Sequence, residues 1–227
     1  VKEFEADTNL RLILVVDTSG SMGFGSGSMN KLAYARKLAG TLCYLASQQG
    51  DAVGVTCAAE GIVKHIPAKQ SPAHLRLIFD TIEEAVPNGP TQLVQVLHEL
   101  SETVRQRALV VILSDFFIPP AELSGCFQHL RFRRHDVALF HLLDPLEISF
   151  NFHRPMRFVD MEGGPSIFAE PSDIAERYGK ALEQYLSELK RVVLESAVDY
   201  QRVQINEDYE QVLLQFLIRR TQTRGLR

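Results

Sequence analysis

Asp17, Ser19 and Ser21 set one carboxylate and two hydroxyls at alternate positions directly after the apolar run Leu10-Arg11-Leu12-Ile13-Leu14-Val15-Val16. A second apolar run, Ala108 to Leu113, also ends in a hydroxyl and a carboxylate, Ser114-Asp115. Thr91 stands in the abrupt turn Pro87-Asn88-Gly89-Pro90-Thr91 between the two runs. Two carboxylates and three neutral hydroxyls are hard oxygen donors, suited to Mg²⁺ or Mn²⁺ and poorly matched to zinc or copper. Ca²⁺ usually recruits more carboxylates or carbonyls, whereas Mg²⁺ keeps several waters in an octahedral shell. A coordination position held only by water is open to a carboxylate from another molecule.

These side chains meet only if the two runs are neighbouring strands. Residues 10–16, 108–115 and 136–144 are rich in β-branched and other apolar types, the pattern of parallel strands covered on both faces. Between them, Leu32, Ala35, Ala39, Leu42, Cys43 and Ala46 predict a helix over 30–47, and Leu75, Ile78, Phe79 and Ile82 a second one opened by Ser71-Pro72. Val94, Leu97, Leu100 and Val104 predict a third, and Pro119-Pro120 opens a fourth. Val53–Ala58 and Ile62–Ile66 lie too close in sequence for anything but a hairpin, which supplies one antiparallel edge strand. The fold class is therefore α/β, a doubly wound, mostly parallel sheet with helices on both faces. In such sheets ligands gather beyond the carboxyl ends of the strands, where successive crossovers diverge. Asp17, Ser19, Ser21, Thr91 and Asp115 are expected to converge there; the competing reading makes Thr91 a plain helix N-cap.

The core is expected over about 8–145. A C-terminal extension over about 146–227 follows, with a hairpin near 157–169, a helix over 172–196, a strand near 202–205 and a helix over 209–219. The Gly/Ser stretch 23–28 reads as a mobile surface loop. It lacks the G-x-G-x-x-G and G-K-[ST] patterns of phosphate-binding loops. His141, inside an apolar strand, reads as a hydrogen-bonded core residue.

The chain has 227 residues, 45% of them hydrophobic, with 24 basic against 28 acidic side chains and a net charge of −4. That length and apolar content fill one sizeable core. The charge gives no general attraction to nucleic acid or an anionic membrane. Cys43, Cys57 and Cys126 are odd in number and unclustered, which points to reduced thiols in a cytoplasmic compartment. No apolar run approaches the roughly 18 residues that span a bilayer.

Asp17-Thr18-Ser19-Gly20-Ser21, with Thr91 in a turn and Asp115 after a buried strand, resembles the metal-ion-dependent adhesion site of von Willebrand factor A-type domains. The chain is also similar to one branch, the bacterial family of unknown function numbered fifty-eight, whose genes commonly accompany MoxR-type AAA+ ATPases. That likeness rests on Val1-Lys2-Glu3-Phe4-Glu5, Asp17 to Met22, Gln49 to Gly54, Leu143 to Glu147, Phe158 to Glu162 and Phe216 to Arg220. It implies a single A-type domain over 1–227, without the upstream region that members usually carry. It implies Mg²⁺ at the five donors, with Mn²⁺ or Ca²⁺ as alternatives, and a MoxR-type ATPase as partner. Where many relatives carry Gly after the last Asp, this chain has Phe116. Phe24, Phe116 and Phe117 are candidates for an apolar rim, and Asp144 and Glu147 for shaping the acceptor surface, against an ordinary turn or capping role.

The function expected is ion-dependent binding of a partner's acidic residue, without catalysis. The alternative is a Mg²⁺-dependent hydrolase or phosphoryl-transfer enzyme. Against it, Ser19 stands where a haloacid-dehalogenase-like phosphatase needs a second carboxylate. There is no G-x-S-x-G elbow, and no histidine is placed in sequence beside the hydroxyls as a base.

Overall fold

The computed structural model describes residues 10–224; Val1-Lys2-Glu3-Phe4-Glu5 lies outside them. The first strand, β1 (Arg11–Asp17), sends Leu12, Leu14 and Val16 to one face and Val15 to the other, so it is covered on both sides. Helix α1 (Lys31–Gln48) returns the chain to β2 (Ala52–Ala58), and a tight turn leads to β3 (Ile62–Lys69). After α2 (Pro72–Glu84) and α3 (Leu93–Thr103), the chain crosses to the other side of β1 and lays down β4 (Leu109–Ser114), α4 (Pro120–Phe132) and β5 (Asp136–Leu143). Then come the short α5 (Pro145–Ser149), the hairpin β6 (Met156–Phe158) and β7 (Ile167–Ala169), the long α6 (Pro171–Glu195), β8 (Asp199–Gln204) and α7 (Tyr209–Arg224).

The main sheet has the order β3-β2-β1-β4-β5-β8. Only β3 runs antiparallel, at one edge, as the short connection to β2 requires. Alternation along β4 and β5 splits the interior. Val111, Leu113, Ala138 and Phe140 pack with α1, α2 and α7, while Val110, Ile112, Val137 and Leu139 pack with α3, α4 and α6. The chain winds one way from β1 to β2 and the other way from β1 to β4, so the crevice of a doubly wound sheet falls between β1 and β4.

The C-terminal elements enter the same layers. β8 pairs with β5 from Ala138 opposite Asp199 to Leu143 opposite Gln204, and α7 lies on the α1 face. Helix α7 runs to Arg224, beyond the expected Arg219, and α5 is an element the sequence pattern did not reveal. Phe216 fixes α7 by meeting Phe140 edge-on at 4.9 Å. Because it is only 6% exposed, Phe216→Ala is expected to cost about 3 kcal/mol or more of folding stability. The loss is expected in one unfolding transition seen alike by far-UV circular dichroism and tyrosine fluorescence; two separated transitions would show that α7 folds apart from the sheet.

Candidate metal centre

Parallel register makes the site. β1 and β4 run side by side with Val16 opposite Leu113, so Asp17 and Asp115 leave adjacent strands at the same edge. Asp17 is 1% exposed, Asp115 3% and Ser19 fully buried. Asp17 Oδ1 accepts the Ser19 amide at 2.9 Å, which bends the chain back over the strand end, and Oδ2 accepts the Ser114 hydroxyl at 2.6 Å. Ser19 Oγ and Ser21 Oγ lie 3.2 Å apart, with Ser21 inside a single 3-10 turn, Gly20–Gly23.

The Thr91 segment is tied to this loop by backbone bonds. The Asn88 amide donates to Thr18 O at 2.9 Å, the Gly20 amide to Gly89 O at 2.8 Å, and the Gln92 amide to Ala59 O at 2.7 Å. Thr91 is not the cap of α3; Gln92 occupies that position. Its hydroxyl is buried without a hydrogen-bond partner. A buried polar atom left unpaired costs about 1–3 kcal/mol, so any group that supplies a contact to this hydroxyl stabilises the fold. The structure thus brings Asp17, Ser19, Ser21, Thr91 and Asp115 to one edge of the sheet, on loops bonded to one another. Among the described residues no group of three or more His, Cys, Asp or Glu is set to hold a metal ion; this donor set is hydroxyls with two carboxylates. The unpartnered Thr91 hydroxyl and that oxygen chemistry fit a Mg²⁺-type cation.

Sequence reasoning missed the site's own cation. Lys31, the first residue of α1, is fully buried, and its ammonium donates to Asp115 Oδ2 and to Glu147 Oε1, both at 2.6 Å. The rings of Phe117 and Phe24 lie 5.4 and 5.9 Å from Nζ. Burial pulls the Lys31 ammonium down, but Asp115 and Glu147 outweigh it and hold its pKa above the ordinary value. A signal for this existed in the sequence: a lysine in the first turn of a helix opposes the helix dipole and needs a specific anion.

The other expected contact residues divide. Phe117 is exposed and Phe24 half-buried, whereas Phe116 is wholly buried, edge-on to His141 at 5.7 Å, and offers no rim. Its φ of 50° lies in the left-handed region that favours glycine, and the Ser114 hydroxyl accepts its amide at 2.9 Å. Asp144 turns inward as the capping box of α5, accepting the Leu146 amide while Glu147 Oε2 accepts the Asp144 amide. Asp144 also accepts the Ser26 amide at 2.8 Å and its hydroxyl at 2.6 Å. The Gly/Ser stretch expected to be a mobile loop is therefore pinned by Asp144. His141 is the core residue expected, bonded through Nδ1 to the Tyr200 hydroxyl at 2.8 Å. All three cysteines are buried and free.

A doubly wound sheet in this strand order, with helices on both faces, is the arrangement of a von Willebrand factor A-type fold. The structure resembles BatB from Bacteroides thetaiotaomicron, with a TM-score of 0.63 and 14% identity over 94% of this chain and 99% of that one. It also resembles the von Willebrand factor A domain of SpRpn10, with a TM-score of 0.53 and 6% identity over 91% and 94%. Residues 1–184 match the family described as "Protein of unknown function DUF58", and the chain belongs to that family. An uncharacterized protein of Mycobacterium tuberculosis is 28% identical over 170 residues, 72% of this chain and 52% of the relative. The chain spans about half the length of the curated relatives it matches.

Two outcomes follow from this geometry. Thr91→Val removes the stranded hydroxyl while keeping its shape. Without divalent ions the variant is expected to unfold at the same or a slightly higher temperature than the parent, yet to bind Mn²⁺ at least tenfold more weakly by calorimetry. The second concerns pH. Burial, and then repulsion from Asp115, push the Asp17 carboxyl up to about 6, against hydrogen bonds from Ser114 and Ser19 that lower it. The folded state thus holds the Asp17 proton more tightly than the unfolded chain, so ionised Asp17 weakens the metal-free fold above about pH 6, and that loss is relieved as pH falls through 6 toward 4. Asp17→Asn in EDTA is expected to unfold at a higher temperature than the parent at pH 7.5, the gap narrowing by pH 5 and closing toward pH 4. An equal gap at both pH values would show that Asp17 is not strained by its charge.

Proposed function

We propose that this chain is a metal-ion-dependent protein-interaction module. Asp17, Ser19, Ser21 and Thr91 hold a Mg²⁺-type cation, with Asp115 closing the set, and an acidic side chain of a partner completes it. The single observation that carries this reading is the buried, unpartnered Thr91 hydroxyl on a turn bonded to the loop that carries Asp17. When bound, the ion supplies the positive centre that draws a carboxylate from outside. The chain's own residues do the positioning. Ser114 and the Ser19 amide orient Asp17, the backbone bonds to residues 88 and 89 hold the Thr91 turn against the Asp17 loop, and the Lys31 ammonium donates to Asp115.

The A-type fold supports a binding role, and family membership supports a MoxR-type AAA+ ATPase as the partner, in complex assembly or maturation. A cytoplasmic setting agrees with that partner. No helix among the described residues is long and apolar enough to cross a membrane. The test is direct association of the purified chain with the MoxR-type ATPase of its source in Mg²⁺ and in EDTA. Binding is expected in Mg²⁺ and its loss, by tenfold or more, in EDTA and with Asp17→Ala. Equal association under all three conditions would remove the ion from the mechanism.

A further inference from the structure

The chain lays one more carboxylate against the five donors, from a segment remote in sequence. Residues 159–164, between β6 and β7, cross the Asp17 loop so closely that a Cβ on Gly20 would stand 1.9 Å from the Met161 carbonyl oxygen. At Gly23 a Cβ would meet the Met161 methyl group at 3.3 Å and the Pro87 ring at 3.2 Å. Only glycine at position 20 lets this segment lie where it does. Two hydrogen bonds then aim the next residue. The Glu162 amide donates to Asp160 Oδ1 at 2.8 Å, and Glu162 Oε2 accepts the Thr91 amide at 3.0 Å. That amide belongs to the same residue as the buried hydroxyl that has no partner.

We propose that Glu162 is an internal acidic ligand of the metal centre, holding in the unpartnered chain the position that a partner's carboxylate takes; this rests on the site being an ion-dependent acceptor of acids. Charge supports it. The Lys31 ammonium is committed to Asp115 and Glu147, while Asp17 is met by the neutral donors Ser114 and Ser19 and Glu162 by the Thr91 amide. A divalent cation near Thr91 compensates Asp17 and Glu162 together. The segment is also built to leave. It lies at the surface, with Val159 63% and Met161 45% exposed. It continues into Gly163, whose φ of 94° belongs to glycine alone. A partner's acid therefore displaces Glu162, and its net affinity is the difference between the two carboxylates.

The probe is Mn²⁺, read by calorimetry and by the water-proton relaxivity of the bound ion, on the parent, Glu162→Gln and Glu162→Ala. Unfolding in EDTA first confirms that each variant is folded. Both variants are expected to bind Mn²⁺ about tenfold more weakly, the order of loss on removing a group that tunes a metal site. Their bound ion is expected to show higher relaxivity, because solvent reaches it, and that relaxivity is expected to fall with acetate at concentrations that leave the parent unchanged. If the parent binds Mn²⁺ and both variants match it in affinity and relaxivity, the proposal for Glu162 is wrong while the metal reading stands. If Glu162→Ala alone is weakened and Glu162→Gln matches the parent, Glu162 only holds the Thr91 backbone and the proposal is again wrong. Failure of the parent itself to bind Mn²⁺ removes both.

Discussion

Two negative charges forced together inside a protein edge are the constraint on which this structure turns. Parallel pairing of β1 and β4 delivers Asp17 and Asp115 to one place, and burial denies either of them water. Neutralising a buried carboxylate needs a proton, a protein cation or a metal ion. The chain uses a different remedy for each. Asp115 receives the Lys31 ammonium, while Asp17 receives only neutral donors, and the consequence is a carboxyl raised to about 6. An asymmetric pair of this kind has one satisfied member and one that still attracts positive charge. The Thr91 hydroxyl, itself unsatisfied, lies on the loop bonded to the Asp17 loop.

The region beyond β5 acts on the same edge. Asp144 grips Ser26, Glu147 grips Lys31, and Met161 and Glu162 close on Gly20 and Thr91. Glu147 is further joined to α6, whose Tyr178 hydroxyl donates to the Glu147 carbonyl at 2.6 Å. Loops that carry donors are thus held by side chains from the extension instead of by the sheet alone. Asp115, Lys31 and Glu147 form one buried line of charge from the edge to α5, and breaking such a pair by removing one partner costs about 3–5 kcal/mol.

The sheet was legible because apolar runs ending in Asp17 and in Ser114-Asp115 are local patterns, and the antiparallel edge strand follows from the short connection between β2 and β3. Helix spans were readable to within a residue or two where the apolar stripe was regular, as over 31–48. The contacts of Glu162 and Asp144 were not readable, and those of Lys31 were hinted at only by its place in a first helical turn, because each acts across more than 70 residues of sequence. Phe116 misled for a related reason. A large apolar residue after Asp115 reads as surface rim, yet the left-handed turn that Ser114 stabilises sends its ring inward against His141.

That inward ring also bears on chemistry. A hydrolytic site needs a base with a pKa near neutrality and a path to the substrate. Burial drives His141 down to about 4, its Nδ1 is engaged by Tyr200, and Phe116 packs against its ring. Asp17 has the right pKa, but both of its oxygens already accept hydrogen bonds, from Ser19 and Ser114. A cation drawn to that carboxylate would favour its ionised form and lower its basicity further. Donors held this way are consistent with a binding role for this edge.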